Sequence, residues 1–204
     1  MVEPLTVDYA KKLAAELDKY DELKDEVYDL SRKIIKNSKL CIFAVRRGNM
    51  EEAKRYIDEM EEMRKRLIDI AKENPRLSTI NMIFNADQEY VEAMCVYMFM
   101  KDGRLPRLEE VGTSVQEYIA GVMDAAGELL RIATDKMIAN DLDFAKRVKE
   151  VIEEIYIFML HVNPRDYELR RKIDYVSNIL NKLQEFIFYK EVVGPVKTIT
   201  GSDR

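Results

Sequence analysis

Residues Asp87–Met100 read DQEYVEAMCVYMFM and set two glutamates, Glu89 and Glu92, one helical turn apart in an otherwise apolar segment. From Leu77 to Met100 the chain has Asp87, Glu89 and Glu92 but no Lys or Arg, although 35% of its residues are charged. The apolar residues do not alternate with polar ones, so the stretch reads as a helix and not as a half-buried strand. On a helical wheel Met82, Ile83, Tyr90, Val91, Met94, Val96, Tyr97, Met98 and Phe99 cover nearly every side. A helix apolar all round is buried, in a protein core or in an assembly. Glu89 and Glu92 lie roughly 60° apart on that wheel, and Val96 and Phe99 continue their stripe. Two like charges at i,i+3 cost a few tenths of a kcal/mol in water and more when desolvated. Something positive should compensate them, and this helix supplies nothing.

Outward from that stretch, glycine and proline divide the chain into helical segments. The first spans about Val7–Arg47 and ends at Gly48-Asn49; the second, about Met50–Glu73, stops before Pro75. Ser78 or Thr79 is placed to cap the third, which ends at Asp102-Gly103 and is followed by the connector RLPRLEEVG. A fourth runs over about Ser114–Ala139, Asp141 is placed to cap a fifth, and a sixth spans about Arg165–Val192. With 204 residues, 47% of them apolar, and few glycines and prolines, the expectation is an all-α single-domain bundle. It would comprise six to seven long helices over residues 1–194, with a disordered tail over 195–204. No signal-peptide pattern or membrane-length apolar run is visible, so the expected location is the cytoplasm, without a membrane partner. Cys41 and Cys95 fall inside predicted helices and read as buried thiols.

The fourth segment repeats the oddity of the third. TSVQEYIAGVMDAAGELL carries Glu117, Asp124 and Glu128, with no base before Arg131. Asp124 and Glu128 are i,i+4 and share a face. Gly121 and Gly127 sit mid-helix at a cost of about 1 kcal/mol each against alanine, which points to close approach by a backbone or a ligand. Glu89, Glu92, Asp124 and Glu128 form an oxygen-only set of the kind that suits Mg²⁺ or Mn²⁺, and such an ion cancels the repulsion between acids. A di-iron bundle would add a Glu-x-x-His on each of two helices. The one histidine, His161, lies near a helix C-terminus, where it reads as structural. An ordinary wet face remains the alternative, with Glu117, Asp124, Glu128, Arg131 and Asp135 forming a solvated stripe.

Basic residues concentrate elsewhere. Arg32–Arg47 reads RKIIKNSKLCIFAVRR, with no acid. Arg32, Lys36, Lys39 and Arg46, joined by Arg47, can track phosphates along one helix, and the interleaved Phe43 can stack a base. The alternative is a solvated basic face paired with acidic neighbours, Phe43 being turned to the core. A net charge of −5 excludes an indiscriminate nucleic-acid binder, so any such binding needs a local patch.

Four stretches then become specific together: SRKIIKNSKLCIFAVRR, QEYVEA, GVMDAAGELLR and RKIDYVSNILNKLQEFIFYKEVVG. In order and spacing they resemble the translin family, over roughly Tyr20–Gly194, and are more similar to its translin-associated factor X (Trax) branch than to translin proper. The resemblance implies a helical fold assembling into a hollow, roughly octameric shell with active sites facing the interior. It implies a Mg²⁺- or Mn²⁺-dependent endoribonuclease on single-stranded RNA, with single-stranded DNA as a further ligand. Its catalytic metal site would fall on Glu89 and Glu92 of QEYVEA and on Asp124 and Glu128 of DAAGEL. The alternative within the family is a non-catalytic single-stranded nucleic-acid-binding scaffold in the manner of translin proper. For a chain taken alone, a homo-oligomer is expected.

Overall fold

Thr6 opens the first helix, α1 (Val7–Arg46), by accepting the backbone N–H of Tyr9 on its hydroxyl. This is the computed structural model of the chain, which describes residues 5–193; the expected disordered tail, 195–204, lies outside them. Asn49 opens α2 (Met50–Glu73) by accepting from Glu52 N–H at 3.2 Å. A 3₁₀ turn, Pro75–Thr79, leads into α3 (Asn81–Asp102). Ser78 and Thr79 do not cap α3 as expected. Their hydroxyls donate backwards, to the carbonyls of Pro75 at 2.6 Å and Arg76 at 3.0 Å, because the proline-started turn already holds them. Ile80 takes the cap position without a side-chain acceptor. Gly103, at φ +70°, ends α3 in the left-handed region that suits glycine.

The connector RLPRLEEVG is not featureless. It contains a single helical turn, α4 (Leu108–Val111), where the Glu110 carboxylate accepts from the Arg107 backbone N–H and from the Arg104 guanidinium, at 2.8 Å in each case. Then follow α5 (Val115–Ile138), α6 (Leu142–Val162) and α7 (Tyr167–Val193). Asp141 caps α6 as expected, accepting from Phe144 N–H at 3.0 Å. No strand occurs among the described residues, and the all-α expectation stands.

The packing divides the chain into two compact units, Met1–Gly121 and Val122–Arg204. In the first, cross-helix pairs fix the directions. Lys19–Glu73, Glu26–Arg66 and Asn37–Glu59 run α2 antiparallel to α1, while Glu61–Tyr90 and Arg64–Asp87 run α3 antiparallel to α2. These mostly exposed pairs mark register and add little stability. The driving force is the apolar seam beneath them: Val27, Ile34, Ile57, Met60, Ile70, Leu77, Tyr90 and Val91 are all but inaccessible. In the second unit Lys172–Asp124 and Lys190–Asn140 show that α7 runs parallel to α5. Met123, Leu129, Ile152, Met159, Val176 and Leu183 form its buried centre. Among the described residues no helix is long and apolar enough to cross a membrane.

Candidate functional site

α3 buries every residue from Ala86 to Phe99 except Asp87, Gln88, Glu89 and Glu92, which are half-buried. Within 86–99 the residues that reach solvent are therefore the acids of the QEYVEA motif and the two residues before Glu89. A base for the stretch 77–100, which has none of its own, arrives from α2. Arg64 is 8% exposed and lies in the same apolar stripe as Ile57, Met60, Leu67 and Ile70. Its Nε donates to Asp87 Oδ1 at 2.6 Å, and its two terminal nitrogens donate to the carbonyls of Val111 and Gly112, each at 2.9 Å. The guanidinium also lies 4.3 Å from the centre of the Tyr90 ring. Burial pushes the Asp87 carboxyl above its ordinary range, against the opposing pull of Arg64. The sequence reading passed over Arg64; its signal was an arginine at a core position of α2's helical repeat.

Glu89 is anchored by a residue that sequence reasoning also missed. Ser38 of α1 is inaccessible, and its hydroxyl donates to the Glu89 carbonyl at 2.7 Å, with Glu89 Oε2 at 3.4 Å. This bond ties the basic segment of α1 directly to the motif turn of α3. Gly121 explains itself in the same unit. A Cβ there would lie 2.6 Å from both the Gln88 carbonyl oxygen and the Val91 Cβ, so the start of α5 approaches α3 at a distance only glycine permits.

In the second unit Asp124 and Glu128 are half-buried along α5. Lys172 of α7 donates to Asp124 Oδ1, and Arg131 donates to Glu128 Oε1 at 2.6 Å. Gly127 lies between the two acids, and a Cβ there would meet the Tyr175 hydroxyl at 2.9 Å. Both mid-helix glycines thus mark close approach, to a neighbouring helix at Gly121 and to a tyrosine tip at Gly127.

Among the described residues no three His, Cys, Asp or Glu side chains are grouped as a metal site requires. The donors nevertheless fit a hard divalent cation in kind. Glu89, Glu92, Asp124 and Glu128 offer only carboxylate oxygens, and all four are reachable from solvent on helices that are otherwise mostly buried. His161 stands apart: it is exposed on α6, with Nδ1 2.8 Å from the Ile157 carbonyl. Cys41 and Cys95 are free buried thiols, as expected, and burial pushes the Cys41 thiol up to about 12.

On α1 the side chains of Arg32, Lys36, Lys39, Arg46 and Arg47 are all exposed. Phe43 is 48% exposed, with the Arg47 guanidinium 4.2 Å over its ring, so it does not turn to the core. Asp29, one turn earlier, lies 3.9 Å from Arg32 and 2.6 Å from Lys33. Lys36 and Lys39 belong to no ion pair among the described residues.

The architecture and the motif order have relatives. The sequence profile of the Translin family matches residues 22–193. An uncharacterized protein of Methanocaldococcus jannaschii is 29% identical over 87% of this chain and 85% of its own length. Translin-associated protein X of Mus musculus is 24% identical over 91% of this chain and 77% of its own. Among solved structures, apo-NeC3PO superposes with a TM-score of 0.85 at 35% identity, covering 92% of this chain and 100% of that one. AfC3PO in complex with duplex RNA shares the fold, with a TM-score of 0.80 at 22% identity over 91% and 97% of the two chains. With its motifs in order and the family profile spanning α1 to α7, the chain belongs to the translin family.

Proposed function

We propose that this protein is a metal-dependent endoribonuclease acting on single-stranded RNA. The observation that carries the reading is the pattern on α3: over 86–99, where every residue outside 87–89 and Glu92 is buried, Glu89 and Glu92 stay half-buried beside an Asp87 that Arg64 compensates. Half-buried like charges at that spacing repel each other, and a bound cation offsets that repulsion. Glu89 and Glu92, with Asp124 and Glu128, would hold Mg²⁺ or Mn²⁺; such an ion, when bound, lowers the pKa of a water and offsets charge at the phosphate. Ser38 fixes the backbone of Glu89, so its carboxylate is presented from a rigid turn. Lys36 and Lys39 would hold the RNA backbone, and Phe43 and Arg47 offer a stacking platform beside them. The buried cysteine thiols supply no thiolate for a covalent route. Membership of a family whose relatives include Trax supports the reading.

A non-catalytic nucleic-acid scaffold is the second reading. The pairs Lys172–Asp124 and Arg131–Glu128 favour it, because they compensate two of the acids without any metal. One experiment separates the two. Labelled single-stranded RNA is incubated with wild type, E89Q/E92Q and K36E/K39E in Mg²⁺, Mn²⁺ or EDTA. Wild type cuts only with metal; E89Q/E92Q loses roughly 100-fold or more of that activity while still binding RNA. K36E/K39E binds more weakly and with a flatter salt dependence. Cleavage by E89Q/E92Q at the wild-type rate would sink the assignment, and RNA binding that never leads to cleavage would select the scaffold.

A further inference from the structure

We propose that the opening turns of α1, residues 7–18, are an interface between copies of this chain, in which they pair antiparallel with the same turns of a second copy. The contact uses none of the residues assigned above to RNA or metal.

The pairing face is set by the packing of the same helix further along. α1 is buried along Val27, Ser31, Ile34, Ser38, Cys41 and Val45, at alternating steps of four and three. Carried back, that stripe runs through Lys24 and Tyr20 to Leu17, Leu13 and Ala10. α2 runs antiparallel to α1 and ends at Glu73, whose carboxylate meets Lys19 at 2.6 Å. Residues 7–18, about 18 Å of helix, therefore stand beyond the end of α2. Every residue from 5 to 19 is exposed. Leu13 is 43% and Leu17 64% exposed, on a stripe that is closed from Val27 onward. A stripe of this period seats a second helix, and α2 stops short of it.

Charge identifies the occupant. Lys11 and Lys12 lie before the midpoint of the leucine pair, and Glu16 and Asp18 lie after it. On a helical wheel Lys11 and Asp18 flank the stripe on one side, Lys12 and Glu16 on the other. A second α1 running parallel sets lysines beside lysines and acids beside acids. Turned antiparallel about a two-fold axis at Ala15, it sets Leu13 against Leu17 of the second copy, and Leu17 against Leu13. The same turn brings Lys11 level with Asp18 of the second copy and Lys12 near its Glu16, each on the matching flank, and symmetry repeats both pairs. Lys12, Glu16 and Asp18 take part in no ion pair among the described residues, so none has to be broken. Lys11 has only Asp8, at 3.9 Å, with both side chains exposed. Two leucine layers bury less than a standard protein interface, so the pairing is weak by itself and acts between copies that are already close.

The test traps the contact as a disulfide. L13C and L17C are prepared separately in the full chain, mixed in equal amounts and oxidised at micromolar concentration, with circular dichroism confirming the fold of each. Cys41 and Cys95 are buried, and wild type gives the background. A disulfide needs Cβ atoms about 4 Å apart, which the antiparallel pair offers between positions 13 and 17 and not between two copies of either. On a non-reducing denaturing gel the mixture should give a cross-linked dimer in at least about 5-fold greater yield than either variant alone. With K11E/K12E in both members the yield should fall about 5-fold, because acids then face acids. With K11E/K12E beside L13C and E16K/D18K beside L17C it should return, because each copy then meets the opposite charge. A yield from L13C alone equal to that of the mixture would overturn the antiparallel pairing, as would a mixture that does not cross-link above wild type. Charge reversal without effect, or a complementary mixture that fails to recover the yield, would give the face to another occupant and overturn the proposal.

Discussion

Arg64 and Asp87 form an enclosed ion pair, with side chains 9% and 21% exposed. Such a pair adds little net stability while intact, because desolvation offsets its attraction. Losing one partner is another matter. Replacing Asp87 with alanine leaves the guanidinium with two carbonyls and the Tyr90 face but no anion, and should cost about 3–5 kcal/mol in urea unfolding. The double variant R64M/D87A should be less damaged than D87A, since no charge is then left uncompensated. The pair also predicts a pH dependence. The Asp87 carboxyl is held above its ordinary 3.8 by burial, so between that value and its folded one the folded state binds more protons than the unfolded. The contribution of this group to stability is therefore present below its ordinary pKa and declines as pH rises through the folded one. D87N should lack that slope, and a slope unchanged from wild type would assign it to other carboxylates. Arg64 also shows why the site was only partly legible. The acids of α3 and α5 stand out in sequence because each lies in a stretch without bases. Their partners, Arg64 and Lys172, arrive from other helices and pair through tertiary register, which no local pattern records.

The two mid-helix glycines make opposite predictions at the scale of the element. At Gly121 an added Cβ would lie 2.6 Å from the backbone carbonyl of Gln88 and from the Val91 Cβ, atoms fixed by α3 itself. G121A must push α5 away from α3, and should lower stability by about 1–3 kcal/mol despite alanine's better helix propensity. At Gly127 the nearest atom is the hydroxyl of Tyr175, the tip of a side chain that is 49% exposed and can turn aside. G127A should therefore be neutral or more stable, by up to about 1 kcal/mol. Thermal melts of the two variants check the contrast, and equal shifts would mean the glycines do not mark different contacts. The helices themselves were readable because their signals are local. Apolar spacing, Asp141 at a cap and Gly103 at a left-handed end each act within one turn of chain. The misses were local competitions. Ser78 and Thr79 had the chemistry of caps, but the 3₁₀ turn opened by Pro75 used their hydroxyls first. In the connector the turn of α4 is held by Glu110, which accepts from Arg104 and Arg107 and whose carboxyl these bonds hold down at about 2. Spacing alone gave no sign of it.

For the whole molecule, a helix apolar all round left two ways to bury α3, in the core of the chain or in an assembly. The chain itself buries that helix, so the case for self-association rests on other surfaces. On α6, Ile157, Phe158 and Leu160 are each about half exposed, although Ile152, Ile155 and Met159 of the same helix are buried. On α7, Phe188, Tyr189 and Val192 are more than half exposed. Single exposed apolar residues need no explanation, but several large ones on each of two helices do. Water is a poor neighbour for them, and covering such residues with a second copy of the chain removes the cost by the burial that drives folding. The expected outcome is a homo-oligomer, and the resemblance to the translin family sets the expectation at eight subunits. Light scattering at micromolar concentration should give a mass several times 23.9 kDa. F158E/F188E should lower that mass while circular dichroism stays helical, since neither side chain belongs to the buried centre of its unit. A wild-type mass of one chain would sink the prediction. An oligomer indifferent to F158E/F188E would move the interface to the exposed apolar positions of α1, where Leu13 and Leu17 are the next candidates.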